Sequence, residues 1–201
     1  MDRIVAVALL VLMFAAVTCL AGDEDVKVAL HVRAHDPDQD CGNLPAIGGC
    51  GDISTTCSCC GDVDVFTVFF DFEGCTGAEW ALTWPEEWGT ALTASCGDFA
   101  IGTIALPGDW VAITWTDCQP GPTIIPAWTW LTANGPGTID PIPNPRAQPF
   151  EPFLGIANCV FAEIQVMCAF GAGVCGAYGG DPCGPTAAEP TTWGSVKAMF
   201  R

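Results

Sequence analysis

Apolar and polar positions alternate along most of the chain, and a period of two predicts strands. Val26, Val28, Leu30, Val32 and Ala34 fall on one side of 26–34, and Lys27, Ala29, His31 and Arg33 on the other. That pattern predicts a half-buried strand with its charged face in water. Phe66, Val68, Phe70 and Phe72 share one face of 63–73, and Trp80, Leu82 and Trp84 share one face of 78–84. Segments 99–106 and 110–116 flank Pro107-Gly108-Asp109, a strong turn signal. Strands are also expected at 123–132 and 159–166. Pro126 removes a ladder donor, which places its strand at a sheet edge or a bulge. Six prolines fall within 136–152, predicting a long ordered connection or an exposed arm. No helical period appears before the last residues. The fold class that follows is all-β: a disulfide-rich β-sandwich of about seven to nine strands, with a Cys-rich N-terminal loop at roughly 36–62 and a short C-terminal helix.

The first residues break this pattern. Arg3 precedes an unbroken apolar stretch, Ile4 to Val17, and small residues end at Ala21 before an acidic run. The stretch is too short for a membrane span of about 20 residues but suits a signal peptide. Residues 1–21 are therefore expected to be a signal peptide, 22–189 a disulfide-stapled sandwich domain and 190–201 an amphipathic tail. Lipid anchoring through Cys19 is the rival reading, disfavoured because Thr18 is a poor residue before a lipidated cysteine. No later stretch is long and apolar enough to span a bilayer, so a secreted or cell-surface location is expected.

Beyond that segment lie Cys41, Cys50, Cys57, Cys59, Cys60, Cys75, Cys96, Cys118, Cys159, Cys168, Cys175 and Cys183. An even set of cysteines in an exported chain reads as a disulfide framework. A zinc cluster around Cys57, Cys59 and Cys60 is the alternative, but adjacent cysteines seldom chelate one ion together. Local pairs are expected, Cys96 with Cys118 and Cys175 with Cys183, leaving no obvious free thiol.

The formal net charge is −17, and cleavage after Ala21 would remove one acid (Asp2) and one base (Arg3), leaving it unchanged. Nucleic acid and anionic membranes need clustered Lys and Arg, so the balance excludes nucleic acid and disfavours anionic membranes as partners. Asp36, Asp38 and Asp40 alternate before Gly42 in an oxygen-rich loop, a candidate calcium site that Asp52, Asp62 and Asp64 would have to complete. The glycine falls one place late for an EF-hand, and the closing bidentate Glu is missing. His31 and His35, the two histidines, would lie roughly 13 Å apart along a strand, too far to share a zinc ion.

Eight tryptophans raise a glycan-binding alternative. Trp84 and Trp88, with Trp128 and Trp130 on the expected edge strand, are the candidates for stacking on sugar rings of an extracellular polysaccharide. The opposing reading is that they fill the sandwich core, where each indole buries about 150–250 Å2. A third alternative is a carboxylate-based glycoside hydrolase using Glu79, Glu86, Glu87 or Asp98, since two carboxyls about 5–9.5 Å apart can cleave a glycosidic bond. No G-x-S-x-G elbow, phosphate-binding loop or dinucleotide fingerprint is present. In the tail, Thr192 could cap a short helix carrying Trp193, Val196 and Phe200 on one face beside Lys197 and Arg201.

Two stretches, GAEWALTWPEEWG (77–89) and GVCGAYGGDPCGPTAAEPTTWGSVKAMFR (173–201), resemble uncharacterised secreted proteins of uncultured bacteria. Those proteins also join Trp-rich strands and many cysteines to a tail of the form EPTTWGxxKxxFR. The resemblance implies export and a shared architecture, and no activity. At the level of fold alone the strands are similar to the cohesin and carbohydrate-binding sandwiches, which licenses no site. The expectation is a secreted or cell-surface, non-enzymatic binding or structural protein. Its partner would be another copy of itself or an extracellular polysaccharide, and its cofactor would be none, with calcium as the alternative.

Overall fold

The computed structural model describes residues 25–146 and 150–184. The expected signal peptide with Cys19 and the tail at 190–201 lie outside the described residues. Among the described residues, twelve strands and one short 3-10 turn (Cys50–Asp52) make up the regular structure, with the strands arranged in two sheets. The described fold is all-β, as the alternation predicts, and disulfide-rich, as the cysteines predict.

In the first sheet, β1 (Lys27–Ala34) pairs β2 (Gly61–Phe70) antiparallel, and β2 pairs a long later strand, Thr123–Ala133. Numbering in chain order, the intervening strands are β3 (Gly74–Thr83), β4 (Ala91–Ser95), β5 (Phe99–Gly102) and β6 (Trp110–Pro120), which makes Thr123–Ala133 strand β7. The C-terminal part adds β8 (Gly137–Ile142), β9 (Gly155–Asn158), β10 (Glu163–Gln165), β11 (Cys168–Phe170) and β12 (Ala172–Val174). The first sheet runs β11-β1-β2-β7-β4 and the second β10-β9-β3-β6-β5, with β8 paired to β3 and β12 to β8. β9 and β8 share one flank of β3, β9 against 75–79 and β8 against 81–83.

The core lies between the sheets. Val28, Leu30, Val32, Val65 and Phe69 of the first meet Trp80, Leu82, Val111, Ile113 and Ile156 of the second. Phe69 and Trp80 make an edge-to-face contact at 5.7 Å between ring centroids. Val28, Leu30, Val32, Trp80 and Leu82 sit on the faces the alternation marks as apolar, whereas on β2 it is Val65 and Phe69, opposite Phe66, Val68 and Phe70, that enter this core.

Three expectations are corrected. The strand carrying Pro126, Trp128 and Trp130 is not an edge: β7 lies between β2 and β4. The lost proline donor is accommodated because the β2–β7 register shifts between Thr67 and Phe69, and β4 stops pairing at Ala127. The Pro126 carbonyl accepts from Cys96 N at 2.8 Å. The charged side of β1 is not open to water along its length. The Cys-rich loop folds across that sheet face and builds a second apolar cluster with Ile53, Phe66, Val68, Phe70 and Trp128. The expected strand at 159–166 is in part a turn, with Asn158 Oδ1 accepting from Val160 N and Ala162 N between β9 and β10.

Disulfide pairing also departs from the local expectation. The bonds are Cys41–Cys96, Cys50–Cys183, Cys57–Cys59, Cys60–Cys175 and Cys118–Cys159, and Cys168 is disulfide-bonded too. Cys96 and Cys118 do not pair with each other: Cys96 bonds Cys41 of the N-terminal loop, and Cys118 bonds Cys159 in the turn after β9. Cys175 and Cys183 are drawn instead to the N-terminal loop, where Thr56 bridges Gly173 and Cys57 N donates to the Gly173 carbonyl at 2.9 Å. Contrary to a fully paired set, Cys75 is a free thiol facing the core. Its burial pushes the thiol up to about 11.

Candidate ligand-binding groove

The sequence candidates separate in space. Trp84 and Trp88 are buried in the main core, and Trp84 Nε1 donates to the Gly89 carbonyl at 3.3 Å. Trp128 is buried in the second cluster, and Trp130 is half-buried with its ring stacked on His35 at 5.2 Å. These four indoles form no exposed row.

The acidic loop is likewise turned on itself. Asp36 Oδ1 accepts from Asp38 N at 3.1 Å, and Asp40 Oδ1 accepts from Gly42 N at 2.7 Å and Asn43 N at 3.1 Å. Such Asx turns satisfy backbone donors of the loop itself. Asp52 accepts from Gly48 N, and Asp62 accepts from Thr132 Oγ1. Among the described residues, no group of three or more His, Cys, Asp or Glu is arranged to hold a metal ion. Asp64 has a separate role. It is fully buried on β2 and lies 2.7 Å from His35 Nδ1, while its other oxygen accepts from Asp36 N at 3.0 Å. A buried carboxylate orienting a histidine could serve a nucleophile. Among the described residues, however, no hydroxyl or thiol hydrogen-bonds the second His35 ring nitrogen.

Of the candidate carboxylates, Glu86 and Glu87 are exposed in the turn after β3, and Asp98 is bound to Thr116. Glu79 alone belongs to a concave site. It projects from the outer face of β3 because Ala78 and Trp80 take the inward positions. Chain leaving β8 crosses this face and is pinned by Asn144, whose N–H donates to the Phe153 carbonyl at 2.7 Å and whose carbonyl accepts from Phe153 N at 3.0 Å. The crossing carries Arg146 over Glu79. Arg146 Nε donates to Glu79 Oε1 at 2.8 Å and Nη2 to Glu79 Oε2. Its Nη1 and Nη2 also reach Glu163 on β10, at 3.3 and 3.0 Å, and the guanidinium stands 4.4 Å over the Phe153 ring. The hydrogen bonds it donates to Glu79 above all, then those to Glu163 and the charge of both carboxylates, hold Arg146 still more firmly protonated, against the opposing effect of burial.

Above this floor opens a groove of about 590 Å3, walled by Ile101, Trp110, Ala112, Pro145 and Phe150. Phe150 is 63% exposed and Ile101 68% exposed. β5, which supplies Ile101, ends its sheet and is exposed at all four residues. Compared with protein-family models, with curated proteins and with solved structures, the chain matches none. The site therefore stands on its geometry alone.

Arg146, Asn144, Trp110 and Phe150 carry no sequence signal of their own. Arg146 and Asn144 sit in the proline-rich stretch, and only its crossing of the second sheet gives them a role. One clue was present: the basic residues are few in a chain of charge −17, so an arginine between prolines must find acids.

Proposed function

We propose that this is a secreted or cell-surface, non-enzymatic binding protein whose ligand lies in the groove over Glu79, Asn144 and Arg146. The observation that carries the reading is the double commitment of Arg146 beneath an open aromatic-walled cleft. Glycosidic hydrolysis needs one carboxyl protonated as the acid while its partner stays ionised. Here both Glu79 oxygens already accept from Arg146, which also bonds Glu163, so Glu79 offers no unoccupied oxygen to a leaving group. Such a floor is rigid and pre-organised for binding and poorly suited to acid–base work.

Export is supported by the disulfides, which form and persist in oxidising compartments. Among the described residues no helix is long and apolar enough to cross a membrane. The test is thermal-shift screening of the exported, oxidised chain against neutral and charged glycans, amphiphiles and peptides, alongside Phe150→Ala. A hit that disappears in the variant supports the groove, and glycan hydrolysis abolished by Glu79→Gln would refute the non-enzymatic reading.

A second reading, assembly between copies, is favoured by β5. An uncharged edge strand with Phe99 and Ile101 exposed presents backbone groups that another strand can pair. Light scattering over a dilution series tests it: concentration-dependent oligomers abolished by Ile101→Lys support assembly, and a monomer at every concentration rejects it.

A further inference from the structure

We infer that the groove takes a neutral saccharide, an inference that rests on the binding-protein reading above. Hydrogen bonding narrows the ligand first. Asn144 is 2% exposed and its Nδ2 donates to Glu79 Oε1 at 2.5 Å, yet its Oδ1 has no hydrogen-bond partner. Asn144 lines the groove, and its Oδ1, enclosed in the floor, is an acceptor short of a donor. A ligand hydroxyl supplies one; an alkyl chain does not.

Charge narrows it further. Arg146 is committed through Nε, Nη1 and Nη2 to two carboxylates, and the chain as a whole carries −17. Nothing in the floor is left to neutralise an anion. Both oxygens of Glu79 are already occupied by Arg146, and one also by Asn144, which removes the carboxylate a cationic ligand would need. The remaining Arg146 N–H suits a neutral hydroxyl oxygen.

Shape completes the case. Two aromatic rings, Trp110 and Phe150, line the wall, and aromatic rings are surfaces on which the C–H faces of a pyranose ring can stack. Trp110 is held closely by its neighbour strand. Gly102 has φ +81, and a Cβ there would meet the Trp110 carbonyl oxygen at 2.5 Å and its ring at 3.2 Å. Hydroxyls for the floor and an apolar ring face for the wall occur together in sugars.

The test is calorimetric titration of the full chain, disulfides intact, with neutral hexasaccharides of glucose, xylose, mannose and N-acetylglucosamine. Oligogalacturonate, decylphosphocholine and a neutral octapeptide serve as comparators. Because Phe150 is exposed, Phe150→Ala keeps the fold, and Phe150→Tyr restores the flat face. At least one neutral saccharide should bind, weaken about tenfold in Phe150→Ala and recover in Phe150→Tyr. Binding of only a comparator, lost in Phe150→Ala, would overturn the saccharide assignment and leave the binding-protein reading standing. Silence from every probe, with Phe150→Ala unchanged, would overturn both.

Discussion

Asp64 and His35 form a buried latch between β2 and the start of the Cys-rich loop, with Asp64 Oδ1 2.7 Å from His35 Nδ1 and the aspartate side chain fully enclosed. The other Asp64 oxygen takes Asp36 N at 3.0 Å and lies 3.7 Å from Arg33 Nε. Removing the carboxylate strands these donors, so Asp64→Ala should cost about 3–5 kcal/mol. Urea denaturation of the oxidised protein checks this. A loss under about 1 kcal/mol, the range of exposed ion pairs, would show that the latch is not buried in solution.

His31 sets an acid limit on stability. Burial first, with the nearby Arg33 charge adding to it, holds this imidazole below its usual range, against a backbone hydrogen bond that acts the other way. Its Nδ1 accepts from Ser54 N at 3.0 Å, which requires the neutral ring. A group depressed on folding contributes stability that is full above its unfolded value, about 6.5, and lost as pH falls towards the folded value. Stability should therefore decline below about pH 6.5, and His31→Gln should flatten that part of the profile. An unchanged slope in the variant would assign the decline to other groups.

The free thiol gives an alkaline counterpart. Cys75 is fully buried and its thiol is pushed up to about 11. The native protein should be unreactive to dithionitrobenzoate at pH 8, and Cys75 should be labelled once denatured. For a group raised on folding, stability is full below the unfolded value and is lost as pH climbs through the folded one. The window here runs from about pH 9 to about 11, and Cys75→Ala should narrow the loss. Rapid labelling of Cys75 in the native state would contradict its burial.

The all-β fold was legible because the five longest strands show two faces: β1, β2, β3, β6 and β7 all fall within or beside the alternating segments. β11 and β12, of three residues each, are too short to carry a period. Inward and outward positions were also readable, since Val28, Leu30 and Trp80 occupy the predicted faces. What alternation cannot carry is which outer face another segment covers. Trp128 looked exposed because its strand looked like an edge, and Asp64, named only as a possible completion of the calcium loop, is instead buried beneath it. The groove was illegible for the same reason. Glu79 was a candidate among many acids, and its partners Asn144 and Arg146 reach it only through pairing of β8 and β9 on one flank of β3. Disulfide connectivity is a long-range property as well: Cys50–Cys183 spans 133 residues, beyond any local guess.

That connectivity yields a direct prediction. Non-reducing proteolysis and mass spectrometry should recover Cys41 joined to Cys96 and Cys118 joined to Cys159. A Cys96–Cys118 peptide would contradict both of these pairings. Cys50–Cys183 and Cys60–Cys175 tie the N-terminal loop to the C-terminal segment. Replacing both residues of either pair by Ala should cost about 2–5 kcal/mol, read from denaturation under oxidising conditions.

Arg146 is where stability and the groove meet. Its side chain is 20% exposed, beside Glu79 at 16% and Glu163 at 57%, so the two pairs should contribute unequally. The Glu163 arm is solvated and screened, and Glu163→Gln should cost under about 1 kcal/mol. The Glu79 arm is partly desolvated and bidentate, and Glu79 also holds Asn144, so Glu79→Gln should cost more, about 1.5–3 kcal/mol. Arg146→Lys keeps the charge but loses the planar fork that reaches both acids at once. It should therefore fall nearer to Arg146→Met than to wild type in urea midpoint. If Arg146→Lys matched wild type, the floor would be held by charge alone, and the fixed geometry assigned to the groove would fail.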